Sequence, residues 1–171
     1  VFLADAAGNA IPGLDPVKTD AKGDYLIKNV PPDFTFVVAC EVDTEGGKKL
    51  YYHLTLLAEN QTGYKNLIQL SSLAFMEGYY YKPRMDWELL EKYSDGLIAT
   101  TGCLGGQVLQ ALLSGDEKGA IEKAARLQDI FGRDNLFVEL QDHGLQAQRD
   151  TNPKLLEIAK KIGAPLLATN D

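Results

Sequence analysis

The chain is poor in the residues that usually announce a function. Its 171 residues include two cysteines, two histidines and one tryptophan. Cys40 and Cys103 cannot build a disulfide framework, so the composition suits a reducing, cytoplasmic setting, with one Cys40–Cys103 pairing left open. Cations are in deficit, 17 Lys and Arg against 24 Asp and Glu, for a formal net charge of -7. A chain so charged does not hold nucleic acid by bulk electrostatics, which needs clustered Lys and Arg. No apolar run approaches the roughly 20 residues that cross a bilayer, so no membrane-spanning helix is expected. The first ten residues lack a basic start and meet Asp5 early, unlike a signal peptide. Position 1 is Val rather than Met, which reads as a piece cut from something longer. Nucleotide and hydrolase signatures are missing too: there is no GxGxxG after a strand, no P-loop, no GxSxG and no HExxH.

What is present is ordinary folded-protein material, 45% apolar and 24% charged, at a length for one medium or two small domains. The texture changes near residue 45. Before it, short apolar runs alternate with turn signals: Val1-Phe2-Leu3, then Gly8-Asn9 and Pro12-Gly13, then Tyr25-Leu26-Ile27, then Pro31-Pro32. Phe34 to Ala39 is the strongest strand of this part, and Gly46-Gly47 marks a hinge. Two units are therefore expected, a β-rich segment over 1–45 and an α/β domain over 46–171. In the second, strands are predicted at 51–58, 96–100, 135–140 and 165–169. Helices are predicted at 63–75, 86–93, 107–113, 116–131 and 146–162. This βαβα order predicts a parallel sheet or barrel under helices. In such folds chemistry gathers at the carboxyl ends of strands, here Gly102-Cys103, Gln141-Asp142-His143 and Asn170-Asp171.

Each candidate side chain has a bland counterpart. His53 lies inside an apolar strand, where a lone histidine is more often a hydrogen-bonded core residue than a ligand. His143, after Asp142 and before Gly144, suits a general base or ligand, and equally an Asx turn capped by Asp142. Cys40-Glu41 and Cys103 end two strands, and a thiolate, a carboxylate and an imidazole meeting there could hold zinc, although the spacing is unlike a CxxC pair. The glycines of Gly102-Cys103-Leu104-Gly105-Gly106 let a strand turn sharply into a helix. Tyr79-Tyr80-Tyr81-Lys82-Pro83-Arg84 could stack bases, but reads more simply as an exposed loop. No catalytic residue and no nucleic-acid-binding residue follows from the residues alone.

Longer strings carry more. From Tyr51 the chain reads HLTLLAEN, GYKNL, KPR, GLIA, GC, ELQDHG and finally ATND. This combination resembles the polymerase-and-histidinol-phosphatase (PHP) domain at the front of bacterial DNA polymerase III alpha subunits, over about Tyr51 to Asp171. The resemblance implies a distorted β/α barrel with metal ligands at strand ends. It puts His53, Cys103 and Asp171 at ligand positions, and Glu41 at the position of a ligand in a Gly-Cys-Glu string, with Ala39 replacing the glycine. It implies a divalent ion: zinc, manganese or magnesium. This chain departs from the family in lacking a His-x-His strand and a Thr-Asp-His-Gly segment, and a last ligand histidine would fall beyond Asp171. The implied cluster is thus about half complete, and hydrolysis by this chain alone is not expected.

The resemblance further implies that the partners are the rest of an alpha subunit and replisome proteins, with DNA met only through the full-length enzyme. Nucleotide addition itself needs palm, thumb and fingers, for which 171 residues have no room. Residues 1–39 instead resemble a carboxypeptidase-regulatory-like β-sandwich segment in Thr19-Asp20, Gly23, Tyr25, Val30-Pro31-Pro32 and Thr35 to Val38. The functional expectation is a PHP scaffold or docking piece of a replicative polymerase subunit with an incomplete metal site. A stand-alone PHP-type phosphoesterase and a β-sandwich-led binding module are the alternatives.

Overall fold

The computed structural model describes the backbone of residues 35–41, 51–79 and 82–170, and side chains from residue 51 onward. The remainder of the expected front segment, including its turns and diproline, lies outside the described residues. Five strands form one sheet in sequence order: β1 (Thr35–Glu41), β2 (Tyr51–Ala58), β3 (Leu97–Thr100), β4 (Leu136–Gln141) and β5 (Leu166–Thr169). Five helices connect them: α1 (Gln61–Met76), α2 (Trp87–Lys92), α3 (Gln107–Leu113), α4 (Glu117–Phe131) and α5 (Gln146–Ile162). The α/β class with parallel strands and outer helices holds for β3, β4 and β5, which pair in parallel.

The first half of the sheet differs from the parallel expectation. β1 pairs antiparallel with β2, and β2 antiparallel with β3. The path between β2 and β3 explains the second pairing. α1 carries the chain away from the end of β2, and residues 77–96 bring it back to that same end. There the Glu59 amide donates to the Gly96 carbonyl at 2.9 Å. A chain that re-enters where the previous strand left must run the other way. Gly63 at the start of α1 makes the approach feasible, because a Cβ there would lie 1.7 Å from the Gly96 carbonyl oxygen.

The helices start where short polar side chains satisfy the free amides of the first turn. Asn60 accepts from Thr62 and Gly63 at 2.9 and 3.0 Å, Asp86 from Leu89 at 2.9 Å, and Asp116 from Gly119 at 2.8 Å. α5 ends at Gly163, whose φ of 68° suits glycine.

Leu56, Ala99 and Leu136 are neighbours across β2, β3 and β4 and are fully buried. With Leu54, Leu97 and Val138 they line the apolar face of the sheet. Leu67, Leu70, Val108, Ala120, Ala124 and Leu155 from the helices complete the core. Side chains alternate across a strand. The opposite face therefore carries His53, Thr100, Glu139, Gln141 and Thr169 beside the half-buried Leu57, Ile98, Phe137 and Leu167, and its polar residues gather toward the end of the sheet where β3, β4 and β5 finish.

Candidate metal centre

The antiparallel half of the sheet decides where the candidate residues go. β2 runs against β3, so the beginning of β2, with His53, lies at the end of the sheet where β3 finishes and turns into Gly102-Cys103. β1 runs against β2, so its carboxyl end reaches the same place, with Ala39 paired to His53 and Glu41 to Tyr51. β4 and β5, parallel to β3, end there at Gln141 and Thr169. One edge of the fold thus collects the backbone positions of Glu41, His53 and Cys103, and β5 stops two residues short of Asp171. The Glu41 side chain and Asp171 lie outside the described residues, as does the Cys40 side chain.

His53 and Cys103 are brought together, with 3.5 Å between Nδ1 and Sγ. The core-histidine reading of His53 does not hold. The residue is exposed because alternation sends Leu54 and Leu56 inward and His53 to the other face. Its backbone is fixed by the turn that carries Cys103. The His53 amide donates to the Gly105 carbonyl at 2.9 Å, and His53 forms a parallel bridge with Gly106. The imidazole lies against Gly105, where a Cβ would come within 2.9 Å of Nδ1, and stacks beside the Tyr51 ring at 6.4 Å between centroids.

The Cys103 turn is built from glycine geometry. Gly102 has φ of 77°, in the left-handed region, and the Gly106 amide closes the turn on the Cys103 carbonyl at 2.8 Å. Cys103 is a half-buried thiol without a disulfide among the described residues, and the Cys40 side chain of the pairing left open lies outside them.

The geometry fits two adjacent ligands of one ion. Zinc bonds of about 2.3 Å to sulfur and about 2.0 Å to nitrogen, at tetrahedral angles, set the two donor atoms about 3.5 Å apart. The same distance also suits a weak hydrogen bond between the two groups. Among the described residues, no group of three or more His, Cys, Asp or Glu gathers.

His143 does not offer a free ring nitrogen. Gln148 Nε2 donates to its Nδ1 at 2.9 Å, which leaves the Nε2 proton for the Asn170 carbonyl at 2.8 Å. Gln148 Oε1 accepts from the His143 amide at 2.7 Å, so one glutamine grips the residue twice. Asp142 accepts from the Gly144 amide at 2.9 Å, the Asx turn expected of that string. The pair is a clasp that holds Asn170, the residue before Asp171.

Sequence reading missed the residue that most organises this end of the sheet. Glu139 is 6% exposed, with Thr100 and Gln141 buried beside it. Its Oε2 accepts from Thr100 Oγ1 at 2.5 Å, and its Oε1 from Gln141 Nε2 at 2.9 Å and Thr169 Oγ1 at 2.5 Å. The signal was available in the alternation Phe137, Glu139, Gln141, but a polar residue at period two in a strand normally reads as solvent-facing. Of the aromatic loop, Tyr79 is exposed and stacks on Phe75, and Lys82 lies over the Tyr51 ring at 4.6 Å, while Tyr80 and Tyr81 lie outside the described residues.

With this geometry in place, comparison with known proteins is specific. The family described as PHP domain matches residues 18–143, a span that reaches back across β1 into the front segment. The DNA polymerase III subunit alpha of Treponema pallidum is 50% identical over 121 residues, covering 71% of this chain and 10% of that protein. That of Deinococcus radiodurans is 48% identical over 127 residues, 74% of this chain and 9% of that protein. The Thermus aquaticus subunit is 47% identical over 135 residues, 75% and 11% respectively. The chain therefore spans about a tenth of the length of the curated relatives it matches.

Proposed function

Since the chain belongs to the PHP domain family, we propose that it works as the PHP scaffold of a bacterial DNA polymerase III alpha subunit and carries a reduced site for one divalent ion. The observation that carries the metal reading is the 3.5 Å approach of His53 Nδ1 to Cys103 Sγ at the strand ends. Glu41, whose backbone position lies on the same edge, and Asp171, two residues past the end of β5 in the sequence, complete the proposed ligand set. Thiolate and imidazole favour a zinc-like ion over magnesium, which prefers oxygen donors. When bound, such an ion supplies Lewis-acid charge stabilisation.

The chain's own residues do the positioning. Gly105 leaves room for the imidazole, and the Gly102 turn presents the thiol. In this reading the ion ties β1, β2 and β3 together at one end. Polymerisation, contact with DNA, the remaining alpha-subunit domains, replisome partners and a cytoplasmic location belong to the full-length protein in this reading. That among the described residues no helix is long and apolar enough to cross a membrane is compatible with it. β1 belongs to the PHP unit in this reading, as its seven-residue pairing with β2 supports.

The test is metal content after zinc or manganese loading and gel filtration, by elemental mass spectrometry. Wild type is expected to retain about one zinc per chain, and His53→Ala and Cys103→Ser to retain none, with hydrolysis of a generic phosphodiester at background throughout. Equal metal in wild type and both variants would overturn the site. Metal-dependent hydrolysis lost in His53→Ala would replace the scaffold reading with a phosphoesterase.

A further inference from the structure

The buried carboxylate of Glu139 faces no cationic side chain in any of its described contacts, and all three of its partners are neutral. Keeping a carboxylate away from water in this way is costly unless every lone pair in use meets a donor. The donor directions are fixed by groups that cannot accept. The Gly102 amide donates to Thr100 Oγ1 at 3.2 Å, so the Thr100 hydroxyl proton is left for Glu139 Oε2. Gln141 Nε2 reaches Thr169 Oγ1 at 3.4 Å, so the Thr169 proton is left for Glu139 Oε1. The Glu139 amide in turn donates to Thr101 Oγ1 at 2.9 Å. One side chain on β4 thereby grips the last residue of β3, the last residue of β5 and, through Thr100, the amide of the residue before Cys103.

We propose that Glu139 is a positioning residue that sets the Gly102-Cys103 turn and the end of β5 relative to each other, so that the Cys103 turn and Thr169 keep a fixed separation at one edge of the fold. The proposal rests on the metal reading for its purpose, but its mechanical content does not. The geometry gives a reason for a carboxylate rather than an amide. Three donors converge on two oxygens, and glutamine would turn an NH2 group toward one of them. The brace lies on the face opposite the leucine-lined core, since Thr100, Glu139, Gln141 and Thr169 share that face by strand alternation.

The 171-residue chain is compared as wild type, Glu139→Gln, Thr169→Val, Thr169→Ser and Thr151→Val. Thr151 is a control: its buried hydroxyl bonds only to carbonyls of its own helix, Ala147 at 2.8 Å and Gln148 at 3.4 Å. Two quantities are read. In metal-free protein, the rate of iodoacetamide alkylation is followed on the Cys103 peptide by mass spectrometry. With cobalt(II), the thiolate-to-cobalt charge-transfer absorption is titrated. Glu139→Gln and Thr169→Val are expected to raise the alkylation rate and to weaken cobalt binding about tenfold, the size typical of residues that orient metal ligands. Thr169→Ser should restore both values. Thr151→Val should lower the thermal midpoint and move neither.

Wild-type alkylation and cobalt binding in both test variants would overturn the proposal, as would changes matched by Thr151→Val. If Glu139→Gln does not fold, Thr169→Val on the edge strand decides alone. If wild type shows no thiolate–cobalt band, the metal reading fails, and alkylation still decides the brace: faster reaction in the variants upholds it, and an unchanged rate overturns it.

Discussion

Two polar clusters sit at the same end of the sheet, and they are built on opposite principles. The His53–Cys103 pair is open: one exposed imidazole, one half-buried thiol and a single contact of 3.5 Å between them. The Glu139 cluster is closed: its carboxylate is buried and fully engaged by Thr100, Gln141 and Thr169. The open pair has capacity left for a ligand and contributes little to holding the chain together. The closed cluster has no capacity left and fixes three strands. Chemistry at a strand end needs both, a pair of unsatisfied donors and a saturated brace that keeps them in place.

The sharpest way to break this comparison is Glu139→Ala. Two hydroxyls and one amide would lose their acceptor in a buried setting, at about 1–3 kcal/mol for each group left unsatisfied and relaxation offsetting part of it. We expect a loss of roughly 3 kcal/mol in urea unfolding. A loss under about 1 kcal/mol would mean that the cluster is not a brace. Gly106→Ala probes the turn joining the clusters. A Cβ there would lie 2.4 Å from the Thr101 carbonyl oxygen, and overpacking of this kind costs about 1–3 kcal/mol, so about 2 kcal/mol is expected in the same assay. His53→Ala should be the mildest in metal-free protein, within about 0.5 kcal/mol of wild type, as for exposed side chains generally. If it cost as much as Glu139→Ala, the open pair would be structural after all.

Much of this was legible in the sequence where periodicity spoke. α3 and α5 have the bounds read from their apolar spacing, and β2 those of its apolar run, because packing agrees there with local pattern. Asp86 caps α2 as a short acceptor before a helix should. Strand direction was not legible. Nothing local to Leu97–Thr100 says that it runs against β2, since that follows from where residues 77–96 return the chain, a non-local fact. For the site, residue type and strand-end position alone drew attention to Glu41, His53, Cys103 and Asp171, and the resemblance to the PHP family gave them ligand roles. Glu139 stayed hidden because a glutamate in a strand is unremarkable until its neighbours on β3 and β5 are known. The role of His143 likewise waited for Gln148 and Asn170, which occupy both of its ring nitrogens.

The most direct test of the central claim, that His53 and Cys103 ligate one ion, is zinc K-edge X-ray absorption on the zinc-loaded chain. The account predicts a shell with one sulfur at about 2.3 Å and nitrogen or oxygen donors at about 2.0–2.2 Å. The sulfur should vanish in Cys103→Ser and the imidazole scattering in His53→Ala. A first shell of oxygen and nitrogen alone in the wild type, or one unchanged in both variants, would contradict it.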